Sequence, residues 1–200
     1  MSAAGGPPRR GECTRSTRET AVEVAVDLDG SGSVDVATGV PFFDHMLDQL
    51  GRHGRFDLRV RASGDTEVDA HHTVEDTGIA LGTALEEALG DKAGIERFGE
   101  ATVPIDEALA RVVVDCSGRP YLVADLAWPL PVVGAYESHL TTHFLEALVA
   151  NARLTVHARL ERAENGHHAH EAVFKALAVA LRRAVVASGS GVPSTKGVLQ

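Results

Sequence analysis

The chain has 200 residues, with 19 Lys and Arg against 28 Asp and Glu, and a formal charge of −9 argues against a nucleic-acid binder, which usually carries basic excess. Apolar residues at 44 % and charged residues at 24 % suit a protein with a buried core and exclude general disorder. No apolar run approaches the roughly 20 residues of a membrane helix, and the Gly/Pro-rich start lacks an apolar signal core. Cys13 and Cys116 form no Cys-x-x-Cys pair, so neither a disulfide framework nor a thiolate zinc site is expected, and the expected setting is cytoplasmic, away from membranes.

In chain order, residues 1–14 read as a disordered N-terminal tail. Val22, Val24, Val26 and Leu28 alternate as a half-buried strand, and Gly30-Ser31-Gly32 is expected to turn the chain into an antiparallel partner near Ser33 to Thr38. Pro41 suits the first turn of a helix reaching about Gly51, a strand follows from Asp57 to Ala62, and a helix from about His72 to Leu89 is ended by Gly90. The link from Asp91 to Phe98 is too short and too poor in Ser and Pro for a flexible tether. Beyond it come strands Ala108 to Cys116 and Tyr121 to Leu126, a helix His139 to Ala150, a strand Arg153 to Glu161, and a helix His168 to Ala187. The Gly/Ser-rich stretch that follows reads either as a mobile tail or as a phosphate-binding loop.

The two runs of elements are copies of one another. His45-Met46-Leu47-Asp48-Gln49-Leu50 recurs 98 positions later as His143-Phe144-Leu145-Glu146-Ala147-Leu148, and His71-His72-Thr73-Val74-Glu75 recurs 96 positions later as His167-His168-Ala169-His170-Glu171. The expected fold is therefore α+β, a duplicated β-β-α-β-α unit with helices packed over antiparallel or mixed sheets. Residues 15–95 form the first half, 96–187 the second and 188–200 a C-terminal tail. Halves of this size bury little alone, so they should share one core.

Residues three and four apart share a helix face, which sets Glu75 beside His71 and His72, and Glu171 beside His167 and His168. Imidazole plus carboxylate without sulfur suits manganese or iron first, with zinc, cobalt and nickel behind. A polar cluster unneeded for packing would diverge between copies. Here His45/His143, His71/His167, His72/His168 and Glu75/Glu171 all reappear, so two related metal sites are expected. His53, His139, His157 and His170 have no repeated partner and read as surface or core side chains. Asp76, opposite Ala172, is either an acid that orients a ligand imidazole or a plain helix-start carboxylate.

Six motifs in this order carry a resemblance that spans about Arg15 to Leu199: Arg15-x-Thr17-x-Glu19-Thr20, Phe42-Phe43-Asp44-His45-Met46-Leu47, Asp69-Ala70-His71-His72-Thr73-Val74-Glu75-Asp76, Ser117-Gly118-Arg119-Pro120, Asn165-Gly166-His167-His168-x-x-Glu171 and Pro193-Ser194-Thr195-Lys196-Gly197. Together they resemble the imidazoleglycerol-phosphate dehydratase family of histidine biosynthesis. The resemblance implies two Mn²⁺ ions per active site, a 24-subunit shell with sites at subunit contacts, and dehydration of D-erythro-imidazole-glycerol phosphate to imidazole-acetol phosphate. It implies Glu19 as the base, or at least as a group close to the departing hydroxyl and the proton, with Glu75 and Glu171 as further carboxylates of the site; Glu107 stands opposite Glu19 in the repeat, 88 positions on. It also implies Arg97, Arg119, Ser194 and Lys196 as phosphate ligands, with Gln49 nearby. The rivals are a two-metal phosphoester hydrolase and a metalloprotein whose ions only join subunits. A di-iron bundle fits poorly, because strands separate the histidine helices and the order is His-His-x-x-Glu.

Overall fold

The computed structural model describes residues 8–199. The first half contains β1 (Arg10–Ser16), β2 (Thr20–Asp27), β3 (Val34–Ala37), α1 (Pro41–Gly54), β4 (Asp57–Gly64) and α2 (His71–Leu89). The second half contains β5 (Phe98–Ile105), β6 (Ala108–Asp115), β7 (Tyr121–Asp125), the short hairpin β8 (Val132–Val133) and β9 (Tyr136–Glu137), α3 (His139–Asn151), β10 (Thr155–Arg162) and α4 (Gly166–Ala184). The two four-stranded sheets share one topology, β1-β2-β4-β3 and β5-β6-β10-β7, so the α+β duplication stands.

Each half is β-β-β-α-β-α rather than β-β-α-β-α, because each gains a leading strand, and the second half also inserts the β8–β9 hairpin before its first helix. β1 occupies residues expected in the N-terminal tail; positions 1–7 of that tail lie outside the described residues. Its inward positions are Gly11, Cys13 and Arg15, too small or too polar to show an apolar alternation. In β5 the buried positions are Gly99 and Ala101. A Cβ added at Gly11 would lie 1.9 Å from the Ala84 carbonyl oxygen, and one at Gly99 would lie 2.0 Å from that of Ala180. Glycine at both places lets a strand rest directly on the backbone of α2 or α4.

The expected hairpin at Gly30–Gly32 does not form, and the matching strands of the second half, on either side of Gly118, do not pair either. β2 and β3 instead flank β4, β2 antiparallel and β3 parallel to it, and β6 and β7 flank β10 likewise. The reason is local. Asp57 at the start of β4 accepts the backbone N–H groups of Ser31 (2.8 Å) and Ser33 (2.9 Å), which swings the chain across the strand end. In the second half Arg153 donates to the Gly118 carbonyl (3.0 Å) and Thr155 to that of Arg119 (3.0 Å), anchoring the equivalent crossing.

The four helices fill the space between the sheets. α2 covers β1 and β2, α4 covers β5 and β6, and α1 and α3 cross between halves, α1 packing on α4 and α3 on α2. Val24, Val60, Val112 and Val156 close the core from the sheets, and Phe43, Phe144 and Phe174 from the helices. This cross-packing brings the duplicated histidines of opposite halves together.

Candidate metal centres and phosphate cavity

The start of each histidine helix is fixed by a side chain just before it. Asn165 accepts from the backbone N–H of His167 (2.8 Å) and of His168 (3.3 Å), and Asp69 accepts from that of His71 (2.8 Å). On α1, Pro41 opens the helix and sets His45 one turn in.

Two compact groups of donor atoms result. His45 of α1 meets His167 and Glu171 of α4, and His71 of α2 meets His139 and His143 of α3, with the ligand atoms in each group all within 4.8 Å of one another. Glu171 Oε2 lies 3.1 Å from His167 Nε2 and 3.4 Å from His45 Nε2. The rings of His71 and His143 stand 4.8 Å apart at their centroids, and those of His139 and His143 stand 5.4 Å apart. A first-row ion with bonds of about 2.1–2.2 Å needs donors within roughly 4.4 Å of each other, so modest side-chain adjustment closes either group around one ion. Nitrogen donors, joined by one carboxylate in the first group and without sulfur in either, fit a first-row divalent ion.

Each group therefore draws one helix from each half, which the spacing alone left open. Neither His-His-x-x-Glu motif gathers as a local triad: the second keeps His167 with Glu171 but turns His168 away, and the first splits across the fold. His71 joins α3, whereas Glu75 belongs to no such group among the described residues. His72 faces Asp65 at 3.1 Å and Glu19 at 3.8 Å, and the hydrogen bond with Asp65 raises its pKa. His168 Nδ1 faces Glu107 at 2.9 Å, which likewise raises that histidine.

Three side chains gain a place at the site that sequence reasoning did not give them. His139 completes the all-histidine group although Pro41 stands opposite it in the repeat. Lys175 donates to Glu171 Oε1 at 2.5 Å, one turn along α4. Burial pushes the Glu171 carboxyl up, but Lys175, His45 and His167 outweigh it and leave the group below its ordinary value. The Glu171-to-Lys175 spacing was the available signal. Asp65, which holds His72, had none. His170 is a core histidine, as expected, and burial lowers its pKa to about 3.

Among the described residues Asp76 orients no imidazole. It accepts from Arg15 Nε (2.8 Å) and from the Thr20 hydroxyl, so it ties the β1–β2 hairpin to α2. That hairpin carries Glu19.

The opposite end of the molecule holds a basic cavity of about 580 Å³ lined by Arg97, Arg119, Ser194 and Lys196 together with Ser117 and Pro193. Arg97 is held by Asp115 (2.7 and 3.1 Å) and donates to the Pro193 carbonyl (2.9 Å), so the C-terminal stretch is fastened to the cavity wall. Gly94 and Gly191 add a backbone hydrogen bond of 2.7 Å. Gln49 is not beside this cavity. Its side chain reaches His45 (3.5 Å) and His53 (3.2 Å) on α1.

A family model described as imidazoleglycerol-phosphate dehydratase matches residues 38–181. The chain belongs to that family. The imidazoleglycerol-phosphate dehydratases of Frankia casuarinae and Acidothermus cellulolyticus are 58 % and 56 % identical to it over 193 residues, covering 96 % of this chain and 99 % and 94 % of theirs. The crystal structure of the Staphylococcus aureus dehydratase superposes with a TM-score of 0.82 at 38 % identity, covering 90 % of this chain and 99 % of that one. The Pyrococcus furiosus structure, in complex with (S)-C348, gives 0.81 at 37 %, covering 93 % and 99 %. Membership makes the chain a hydro-lyase of histidine biosynthesis acting on a small phosphorylated substrate. Among the described residues no helix is long and apolar enough to cross a membrane.

Proposed function

We propose that the chain dehydrates D-erythro-imidazole-glycerol phosphate to imidazole-acetol phosphate with two Mn²⁺ per active site. The observation that carries this reading is the pair of donor groups, His45–His167–Glu171 and His71–His139–His143, each gathered within 4.8 Å across the two halves. Bound there, the ions would supply positive charge that favours the deprotonated form of the substrate imidazole. His72, His168 and Glu75, which lie outside both groups within one chain, would complete the coordination from neighbouring copies.

The chain's own residues supply the rest. The reaction removes a hydroxyl from the carbon bonded to the ring and a proton from the next carbon; the enol left behind becomes the ketone. Glu19 is suited to taking that proton. It lies on the tight β1–β2 loop, its side chain is 56 % exposed, and its neighbour is His72 at 3.8 Å. Glu107 stands at the matching loop of the second half but is engaged by His168 (2.9 Å) and the backbone N–H of Asn165 (2.8 Å). Those donors hold its pKa at about 2, too low for a good base at neutral pH. Glu19 is the base in this reading, and Glu107 orients His168.

The phosphate would sit among Arg97, Arg119, Ser194 and Lys196, where guanidinium and ammonium groups match a dianion. Arg97 packs at the C-terminal end of α4, through its N–H to the Ala184 carbonyl, whereas Glu171 lies near the start of that helix, roughly 20 Å away at 1.5 Å per residue. The substrate's chain from ring to phosphorus is about six bonds, under about 9 Å. One molecule cannot reach both from a single chain. This supports sites assembled between copies and, with the family resemblance, the 24-subunit shell in the cytoplasm.

Chelated protein re-supplied with single metals, incubated with imidazole-glycerol phosphate, tests the reading. Keto-product formation that returns with Mn²⁺ is expected. Release of inorganic phosphate from generic monoesters instead would favour a hydrolase, and assembly with Mn²⁺ without turnover would favour a structural role.

A further inference from the structure

Behind the two donor groups lies a buried polar chain that neither the ligands nor the base accounts for. His170 is 0 % exposed on α4, Thr141 0 % and Ser138 2 % at the start of α3, and Tyr136 1 % in β9. His170 Nε2 lies 3.1 Å from Ser138 Oγ, and Ser138 Oγ donates to the Leu130 carbonyl at 2.6 Å. On the other side His170 Nδ1 lies 2.9 Å from Thr141 Oγ1, itself 3.1 Å from the Tyr136 hydroxyl.

With a neutral imidazole, the protons can be arranged in one way. Leu130 offers only an acceptor, so Ser138 spends its proton there and must accept from His170 Nε2–H. Nδ1 then carries no proton and accepts from Thr141, which in turn accepts from Tyr136. Every hydroxyl and ring nitrogen in the run is satisfied, in a single direction, with no water needed. Trp128 stacks on His170 with centroids 4.0 Å apart, and Phe42 of α1 sets its edge against both His170 (5.6 Å) and His167 (5.3 Å).

The position of this run gives it meaning. His170 lies between His167 and Glu171 in sequence, on the helix that supplies one donor group. Ser138 and Thr141 bracket His139 on the helix that supplies the other. Phe42 is three residues before His45. We infer that His170 is a positioning residue, which through Ser138 and Thr141 locks the two donor groups to each other, so that both form as one preorganised unit. The inference rests on the reading of those groups as metal centres.

Plain packing would fill this space with apolar side chains at lower cost, since a buried histidine must find both its partners. A directed chain instead fixes the α3–α4 register and the ring orientation together. Groups that orient metal ligands from behind commonly change affinity by about 10- to 100-fold when removed.

The test is Mn²⁺ titration of the assembled full chain, followed by the electron paramagnetic resonance signal of free and bound Mn²⁺, for wild type, His170→Phe, His170→Gln, Ser138→Ala and Thr141→Val. The single tryptophan, Trp128, reports through its emission whether the stack survives. His170→Phe keeps a ring but no hydrogen bonds, and the expected result is about 10- to 100-fold weaker Mn²⁺ binding at both sites. His170→Gln, which can still donate toward Ser138, should recover part of that loss. Should His170→Phe fail to fold, Ser138→Ala and Thr141→Val each remove one link and should each weaken both sites. Wild-type affinity in the variants, or weakening confined to the His45–His167–Glu171 site, overturns the inference while leaving the metal reading intact. A wild-type chain that binds no Mn²⁺ overturns the metal reading and the positioning role with it.

Discussion

Glu19 and Glu107 occupy the same loop of the repeated unit, and their surroundings separate their chemistry. Two backbone N–H groups and an imidazole engage Glu107, whereas Glu19 keeps an exposed carboxylate next to His72. Glu19→Gln is expected to abolish keto-product formation while leaving Mn²⁺ content and substrate binding unchanged, as read by product assay, metal analysis and calorimetry. Near-normal turnover of that variant with full metal content would remove Glu19 from the base role. Much of this site was legible in the chain, because chemistry was repeated: His45 with His143 and His71 with His167 could be paired before any fold was known. His139 was not legible, since the position opposite it is Pro41 and a lone histidine gives no pattern. The split of His72 and His168 onto Asp65 and Glu107 was equally hidden, because Asp65 lies on the loop before α2, outside any helical spacing, and Glu107 comes from a loop distant in sequence.

Helices were the readable elements, their apolar stripes and flanking glycines giving α2 and α4 nearly their observed spans. Strands with small inward residues were not. β1 and β5 bury Gly11 and Gly99 against helix backbone, so the very feature that lets them pack removes the apolar alternation that would announce them. The turn glycines misled differently, suggesting hairpins where Asp57 and Arg153 direct crossings. Gly11→Ala and Gly99→Ala should each destabilise the chain, at the upper end of the about 1–3 kcal/mol typical of overpacking, in denaturant titration. Gly189→Ala, where an added Cβ meets nothing within 4 Å, serves as the control and should shift stability by less than about 0.5 kcal/mol. Equal, small effects at all three positions would show that the strands can retreat from the helices without cost.

Duplication gives the whole molecule two donor groups, and crossing the halves makes neither half sufficient by itself. α1 meets α4 and α3 meets α2, so a separated half would carry only part of each group. Glu19 lies beside the start of α2, whereas the tail just after Lys196 lies beside Glu86 and Lys92 at the far end of that helix, so in the proposed reading one small substrate would touch both only where two copies meet. Co-assembling Glu19→Gln chains with Lys196→Ala chains should therefore yield turnover above the sum of the two parents at limiting substrate. Strictly additive activity would point instead to sites complete within one copy. The most direct measurement is the manganese content of the assembled protein after dialysis. Wild type is expected to keep two Mn²⁺ per chain, and His45→Ala and His143→Ala to keep one each, because each breaks a different group. A wild-type protein that keeps none, or variants that both keep two, would contradict the assignment of these imidazoles to paired ions.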